Sequence, residues 1–261
     1  ECEVDNFDHK HFIKWCNDIG LKKTITTEGV FAPWCMYKKD FLAIGGHDEL
    51  FAPQSKEDSD LFNRFHLAGY KFIQPWDALV YHFTSRGSRF NKHAGGAAGK
   101  DSPEWQYTTT KNGRNFVRKW GCFIKHTKLM KPIVPPKYDI GFILKNCSYE
   151  MLFALEPWCN TIYTDYSPYN DYISNEQPNT IINLNEKLKP YDNEKNNKIL
   201  IEIDGHTATQ EDYKLIEHLT EILANDDKLH KEKLPCDFEL GNLRITIIDL
   251  QTYEKTLINA N

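Results

Sequence analysis

Three carboxylates lie within four residues of one another in the first quarter of the chain: Glu57, Asp58 and Asp60. The apolar spacing that follows them predicts a helix over residues 59–68, so the carboxylates lie at its start. Unpaired backbone N–H groups and the helix dipole favour negative charge at that position, and capping alone would explain the cluster. A set of neighbouring carboxylates can also accept a proton and hold hydroxyl groups during catalysis.

Other motifs flank these carboxylates, and helix capping does not explain them. In order along the chain they are Gly45-Gly46-His47-Asp48-Glu49, Glu57-Asp58-Ser59-Asp60-Leu61-Phe62-Asn63-Arg64, Gly69-Tyr70 and His82. Over residues 30–90 this order resembles the glycosyltransferases of GT-A fold. Inverting family-two enzymes carry Gly-Gly-Phe-Asp-Glu, Glu-Asp-x-Asp-Leu, an Arg, a Gly-Tyr and a His. The β-1,4-galactosyltransferase type carries Glu-Asp-Asp-Asp followed by Phe-Asn-Arg.

The resemblance implies roles on the acceptor side of a sugar-transfer site. Asp58 matches the catalytic carboxylate, which takes the proton of the acceptor hydroxyl as its oxygen attacks the anomeric carbon. Glu57 and Asp60 would bind acceptor hydroxyls or support the site, and Gly46 of the glycine pair belongs to the same acceptor region. Trp34 could stack on a sugar face, although core packing explains an aromatic residue equally well.

The resemblance also implies a donor side that binds a nucleotide-sugar. His82 matches a late metal-ligating histidine of the family and would complete an oxygen-rich shell for Mn²⁺ or Mg²⁺ around the diphosphate. A histidine at a strand end can instead be purely structural. Arg86 and Arg89 follow at once and would face the diphosphate or an anionic acceptor. The implied activity is metal-dependent, inverting transfer of a sugar to a hydroxyl of a saccharide or glycan.

The sequence departs from this family in its first residues. No Asp-x-Asp lies at a strand end before the glycine pair; Glu3-Val4-Asp5 has suitable residue types, but no strand precedes it. His47 also stands where the family commonly has Phe. We therefore expect residues 1–131 to be the acceptor-side part of a GT-A-like domain without its donor-binding half, with little activity alone. The alternative is a non-catalytic carbohydrate-binding or assembly module derived from such an enzyme.

The predicted helices and strands that would position these residues fall into two groups, separated by a proline-rich stretch. Residues 132–136 predict a stiff extended linker between residues 1–131 and residues 137–261. The first part shows apolar periodicity typical of short helices and strands. Its predicted helices cover 9–19, 38–44 and 59–68, and its predicted strands cover 30–37, 71–73 and 78–83.

The second part alternates strands with helices, which predicts a small layered α/β domain and an α/β fold class for the chain. It contains no glycine-rich phosphate-binding motif. Asp165, Asp204 and His206 lie at or near predicted strand ends, where open α/β sheets bind ligands; ordinary loop solvation is the other interpretation. The predicted strands cover 138–144, 161–164, 180–184, 198–203 and 243–250, and the predicted helices cover 148–155 and 210–224.

Charge is distributed unevenly along the 261 residues, although the net charge is only −5. Residues 86–131, here called the basic segment, hold 11 Lys and Arg against 2 Asp and Glu. This segment either docks against acidic neighbours or contacts phosphate groups. Its aromatic residues suggest nucleic-acid binding as a third and weaker hypothesis, because no known nucleic-acid motif appears.

Composition excludes several classes of protein. A hydrophobic share of 40% and a charged share of 26% are wrong for a disordered chain. No apolar run approaches the roughly 18 residues of a membrane span, so none is predicted. Seven cysteines, an odd number without a CxxC pair, indicate reduced thiols and predict a cytoplasmic location.

Overall fold

The computed structural model describes residues 6–18, 25–81, 88–90, 92–97, 100–227 and 229–259. These residues form a mixed α/β structure with one two-stranded and one six-stranded sheet, which confirms the predicted α/β class. The helices are α1 (His9–Asp18), α2 (Lys38–Ala43), α3 (Glu57–Leu67), α4 (Pro103–Trp120), α5 (Tyr149–Leu155), α6 (Tyr169–Glu176), α7 (Leu184–Lys187), α8 (Gln210–Glu217) and α9 (Leu219–Asn225). The strands are β1 (Thr26–Thr27), β2 (Gln74–Pro75), β3 (Ile140–Lys145), β4 (Thr161–Thr164), β5 (Leu188–Pro190), β6 (Ile199–Asp204), β7 (Cys236–Leu240) and β8 (Leu243–Ile247).

The six-stranded sheet has the order β5-β4-β3-β6-β8-β7. Strands β3, β4, β5 and β6 pair in parallel, while β8 runs antiparallel to both β6 and β7. Central β3 is an almost continuous apolar run whose first five residues are all buried, as expected for a parallel strand covered on both faces. Because β3, β4 and β6 run in the same direction, their carboxyl ends meet at one edge of the sheet.

The main hydrophobic core lies between this sheet and its helices. Phe142 and Ile201 are opposite each other across the β3–β6 pair, and both are fully buried. Leu152 of α5 and Leu223 of α9 pack in the same cluster and are equally inaccessible. Burial of large aliphatic side chains in this way contributes about 1.5–3 kcal/mol each, so this unit holds most of the apolar stabilisation.

Several of the predicted element boundaries were wrong, for identifiable local reasons. The strand predicted at 180–184 is absent, because the Asn183 side chain caps α7 by accepting from the Asn185 amide at 3.1 Å. The helix predicted at 210–224 is two helices, interrupted at His218, whose backbone leaves the helical conformation. Strand β7 was not predicted at all.

The N-terminal part contains less sheet than the sequence indicated. Residues 30–37 form no strand, and the described residues of 71–73 and 78–81 form none either. The regular pairing there is the short β1–β2 ladder, with Thr26 opposite Pro75. The helix predicted at 59–68 is confirmed as α3.

Helix α4 was missed because 11 of its 18 residues are polar or charged. Ser102 caps its start, because the Ser102 hydroxyl accepts from the Trp105 amide at 3.2 Å. Gly121, with φ of 69°, follows its last residue. A left-handed residue after the last turn is a common helix stop that suits glycine. Phe116 and Trp120 of α4 pack with Leu50 and Phe51, and they form a second apolar cluster.

The α4 helix also contacts the C-terminal unit, so it joins the two parts of the chain. Arg118 forms ion pairs with Glu156 and Glu176, all three at least nine-tenths buried. Ile182 and Leu257 from the C-terminal unit border the apolar cluster on the other side. The predicted linker at 132–136 and the domain division remain predictions. Among the described helices, none has the length and apolar character needed to cross a bilayer.

Candidate functional site

The carboxylate cluster begins with two residues in an unusual backbone conformation. Ser55 and Lys56 have φ of 79° and 76°, a left-handed region that non-glycine residues rarely occupy. Lys56 is the residue before the first turn of α3, and its side chain forms no cap. Two such residues in a row cost on the order of 1–3 kcal/mol each and persist only where the surroundings hold them. They set the direction in which α3 presents its first side chains.

Glu57 and Asp58 occupy the first two positions of α3, as predicted from the sequence. Both side chains are partly exposed. The Asp58 carboxylate forms no hydrogen bond or ion pair with any described residue, and Glu57 has one oxygen, Oε2, that is buried without a partner among them. Both residues lie in the first helical turn, whose backbone N–H groups have no partner within the helix. This pair is therefore available to a ligand.

Asp60 faces the opposite way and is completely buried. Its Oδ2 accepts from Arg64 Nε at 2.8 Å, and its Oδ1 accepts from Lys119 Nζ at 2.7 Å and from Trp120 Nε1 at 2.9 Å. Lys119 Nζ also reaches Asp48 Oδ2 at 2.7 Å. Two carboxylates and two cations thus neutralise one another, which is what burial of charge requires. This geometry fits the supporting role for Asp60, since a sugar hydroxyl would have to displace these partners.

The glycine pair is held by the same network. Arg64 Nη1 donates to the carbonyl oxygen of Ile44 at 2.7 Å, and Nη2 donates to that of Gly46. Gly46 has φ of 73°, and a Cβ there would lie 3.2 Å from the Phe41 ring. Both the backbone conformation and the tight space favour glycine at this position. Gly46 therefore contributes backbone shape beside the cluster and joins it through Arg64 and Asp60.

Helix α4 fixes the loop that leads into the cluster. Asn112 Nδ2 donates to the carbonyl oxygens of Phe51 and Gln54, at 2.7 and 2.6 Å. Lys111 Nζ donates to that of Ala52 at 2.8 Å, and Asn115 Nδ2 to that of Leu50 at 3.2 Å. These bonds satisfy carbonyl groups that would otherwise be left without partners. The bonds connect α4 side chains to four of the five residues from 50 to 54. These residues directly precede Ser55 and Lys56, the two residues with left-handed backbone.

Trp34 lies beside α3 on the side that carries Asp58. Its ring meets the Phe62 ring edge-on, with centroids 5.9 Å apart, and lies 6.4 Å from the His47 ring. Phe62 is four residues after Asp58, so the two side chains share one helix face. Trp34 is partly buried, which leaves part of the ring accessible. The structure thus places Trp34 and Asp58 on one side of α3, and it places Gly46 with the buried Asp60 on the other.

The donor-side residues are not assembled in the same way. His82 and Arg86 lie outside the described residues. Arg89 is paired with Asp101 through its Nε and packs on Trp105, with its guanidinium carbon 4.7 Å from the ring centroid. The hydrogen bond that Arg89 donates to Asp101 raises the pKa of Arg89 above its usual value. The pairing leaves this guanidinium with less capacity for a diphosphate.

A metal shell is likewise not visible in the part of the chain that the structure describes. No three His, Cys, Asp or Glu side chains come together there in a way that could hold an ion. The residue assigned to the metal by resemblance, His82, is not among those described. A role for Mn²⁺ or Mg²⁺ therefore stays a prediction.

About half of the cations in the basic segment are paired with carboxylates of the protein itself. Arg114 and Arg118 bond Glu176 and Glu156, and Lys119 bonds Asp48 and Asp60. Lys125 pairs with Glu221, and Lys131 pairs with Glu28. Five of the segment's 11 cations therefore meet carboxylates from outside it. This supports the interpretation that the segment docks on acidic neighbours.

Searches against protein-family models, curated proteins and solved structures gave no match for this chain. The class of protein defined by the fold is thus a mixed α/β protein, and the activity must be argued from the site itself.

Proposed function

We propose that this protein is a metal-dependent, inverting glycosyltransferase that moves a sugar from a nucleotide-sugar donor to a hydroxyl of a saccharide acceptor. The observation that carries the proposal is the contrast between Asp58 and Asp60. Asp60 is buried and bound by three partners, whereas Asp58, two residues away, is partly exposed and unpartnered among the described residues. A rigid framework that leaves one carboxylate free is the arrangement a general base needs.

In the proposed reaction the residues of this chain bind and orient the acceptor. Trp34 offers an aromatic surface to a sugar ring, and Glu57 accepts hydrogen bonds from neighbouring hydroxyls. Asp58 takes the proton of the attacking hydroxyl, whose oxygen forms the new bond to the anomeric carbon. The bond from that carbon to the diphosphate breaks, and the nucleoside diphosphate leaves. Mn²⁺ or Mg²⁺ would neutralise the departing charge.

The second candidate is a carbohydrate-binding module without catalysis. The observation that favours it is the engagement of Arg89 by Asp101 and Trp105, which removes a cation from the donor side. Both candidates require a saccharide at Glu57 and Asp58, and they differ in whether a nucleotide-sugar is consumed.

The test is to assay the product of the complete gene with a panel of nucleotide-sugars, saccharide acceptors and Mn²⁺, measuring release of nucleoside diphosphate. We expect Asp58→Asn to lower turnover by about 10²-fold or more, the usual contribution of a general base. Saccharide binding should remain, because the amide keeps the shape of the carboxylate. The matched control is Glu49→Gln, an exposed carboxylate before α3.

Full turnover in Asp58→Asn would refute its role as the base. Saccharide binding that depends on Glu57 and Asp58, with no release of nucleoside diphosphate from any donor, would support the binding module instead.

A further inference from the structure

The C-terminal unit contains a groove that is distant from Asp58 in the sequence. None of the residues proposed for the acceptor site lines it. It has a volume of about 480 Å³ and lies between α5 and α8. This volume falls within the range of about 300–1,000 Å³ that is usual for small-ligand sites. It is formed by residues 146–158 and 205–217, so both helices contribute.

The groove lies at the point where the strand order of the sheet changes direction. The chain leaves β3 towards β4 on one side, while β6 lies on the other side of β3. Asn146 follows β3 directly and Gly205 follows β6 directly, and both line the groove. Open α/β sheets bind ligands in the crevice outside the carboxyl ends of their strands at such a point.

The backbone at this edge is held in place by polar contacts. Asp165 accepts from the backbone amides of Asn146 and Cys147, at 2.7 and 3.1 Å. Asp204 Oδ1 accepts from Asn146 Nδ2 at 2.9 Å. A Cβ at Gly205 would lie 2.3 Å from the Asn146 carbonyl oxygen, so only glycine allows this close approach. The groove is therefore preformed, which lowers the entropy cost of binding.

The lining combines apolar surface with hydrogen-bonding groups that are not used inside the protein. Gln210 and Glu217 form no side-chain hydrogen bond with any described residue, and both lie on the groove side of α8. Glu150 adds a second carboxylate, which already accepts from the Ser148 hydroxyl and from its own backbone amide, and Trp158 and Tyr213 add aromatic rings. The Trp158 ring is supported edge-on by Phe123, with centroids 4.9 Å apart.

This lining selects against anions. Among the described residues that form the groove, none is Lys, Arg or His, and two are glutamates. A phosphate or carboxylate ligand would meet repulsion from both. Amide groups donate and accept hydrogen bonds, and carboxylates accept them, which matches a ligand covered with hydroxyls. The apolar floor, which includes Met151 and Ile216, and the aromatic rings match the C–H faces of a sugar ring.

We propose that the groove between α5 and α8 is a binding site for one neutral saccharide unit. It would be a second carbohydrate site, independent of the carboxylates at the start of α3 and of whether they catalyse transfer. Hydroxyl groups would bond to Gln210, Glu217 and Glu150, and the sugar face would pack on the rings of Trp158 or Tyr213.

The experiment is saturation-transfer difference NMR on the whole chain with a panel of neutral monosaccharides and disaccharides, followed by titration of any that bind. We expect at least one saccharide to bind, and we expect Gln210→Ala and Glu217→Gln each to weaken binding by about tenfold. Loss of one hydrogen bond of about 1–1.5 kcal/mol corresponds to that change. Lys214→Ala, on the exposed part of the same helix, is the matched control and should change nothing.

Both variants should keep the fold, because neither side chain has a partner to lose, and circular dichroism checks this. The proposal is overturned if no saccharide of the panel binds or if Gln210→Ala binds as tightly as the unaltered chain. The Gln210→Ala and Glu217→Gln variants separate the two sites, because the site at α3 contains neither residue. Binding that both changes weaken belongs to the groove, and binding that neither changes places the sugar at α3 and overturns the proposal.

Discussion

At the scale of single residues, the molecule separates carboxylates that the sequence presents as equals. Asp58 and Asp60 are two positions apart on α3 and point to opposite sides. The difference comes from Lys119 and Trp120, about 60 positions later, whose side chains bond Asp60 and do not bond Asp58. No local pattern carries that information. The sequence could predict a cluster at a helix start, but not which member stays accessible.

A second residue-scale feature is the buried lysine at position 137. Its ammonium donates to the Arg118 carbonyl oxygen at 3.1 Å and forms no ion pair with a described carboxylate. Burial, with help from Lys187, lowers its pKa to about 8. The neighbouring thiols are not alternative charges at neutral pH, because burial raises the pKa of Cys122 to about 11 and that of Cys159 to about 12.

This lysine makes stability depend on pH in a definite direction. Since its pKa is lower in the folded chain, the unfolded chain binds more protons above about pH 8, and stability rises with pH there. Its contribution to the free energy of unfolding should rise by about 1 kcal/mol between about pH 7.5 and 9. Lys137→Met should remove this rise, whereas the exposed control Lys233→Met should keep it. Urea unfolding at several pH values measures both, and an unchanged slope in Lys137→Met would contradict the assignment.

At the scale of elements, helix α4 holds the loop that leads into the candidate site. Its polar side chains suggested a solvated basic segment, because their partners are distant in sequence. Asn112 alone bonds two loop carbonyls that are 61 and 58 residues away. The local cues for α4, Ser102 before and Gly121 after, were present in the sequence and could have revealed the helix.

We expect Asn112→Ala to loosen the loop before α3. It would leave two carbonyl groups without partners, at a cost of about 1–3 kcal/mol in the free energy of unfolding. Hydrogen exchange that proceeds by local opening should quicken in residues 50–58. Thr110→Ala, at an exposed position of the same helix, is the control. Equal exchange in both variants would show that α4 does not hold the loop.

At the scale of the whole molecule, a buried ion network joins the two parts of the chain. Glu156 is fully buried and bonds Arg118 and Lys187. Burial alone would raise the pKa of Glu156, but Lys187 and Arg118 together lower it well below its usual value. Its stabilising contribution is therefore present at neutral pH and lost as the solution becomes acidic.

Glu156→Gln should lower the free energy of unfolding by about 3–5 kcal/mol, because it leaves buried Lys187 without a counter-charge and buried Arg118 with Glu176 alone. It should also flatten the loss of stability between about pH 5 and 3. The exposed control Glu194→Gln should stay within about 0.5 kcal/mol of the unaltered chain. Urea unfolding of all three proteins across this range is the measurement. A small effect of Glu156→Gln at neutral pH would show that the network is dispensable.

The sequence predicted the fold best where the pattern is local and apolar. Continuous runs such as 140–145 became strands, and helical spacing with acidic residues at the start identified α3. It failed where a polar residue changed the local outcome, as Asn183 does by capping α7 in place of a strand. Strand β7 was not predicted, because the exposed acidic residues Asp237 and Glu239 alternate with its partly buried residues and interrupt the apolar pattern.

The shared helix has a consequence for how this protein could be recombined or shortened. Residues 103–120 interlock with both sides, so a break at residue 131 would leave Arg118 on one fragment and Glu156 with Glu176 on the other. Each fragment would then expose to solvent charged side chains that are buried in the intact chain. Joining residues 1–131 to an unrelated partner would succeed only if that partner supplied two carboxylates at matching positions.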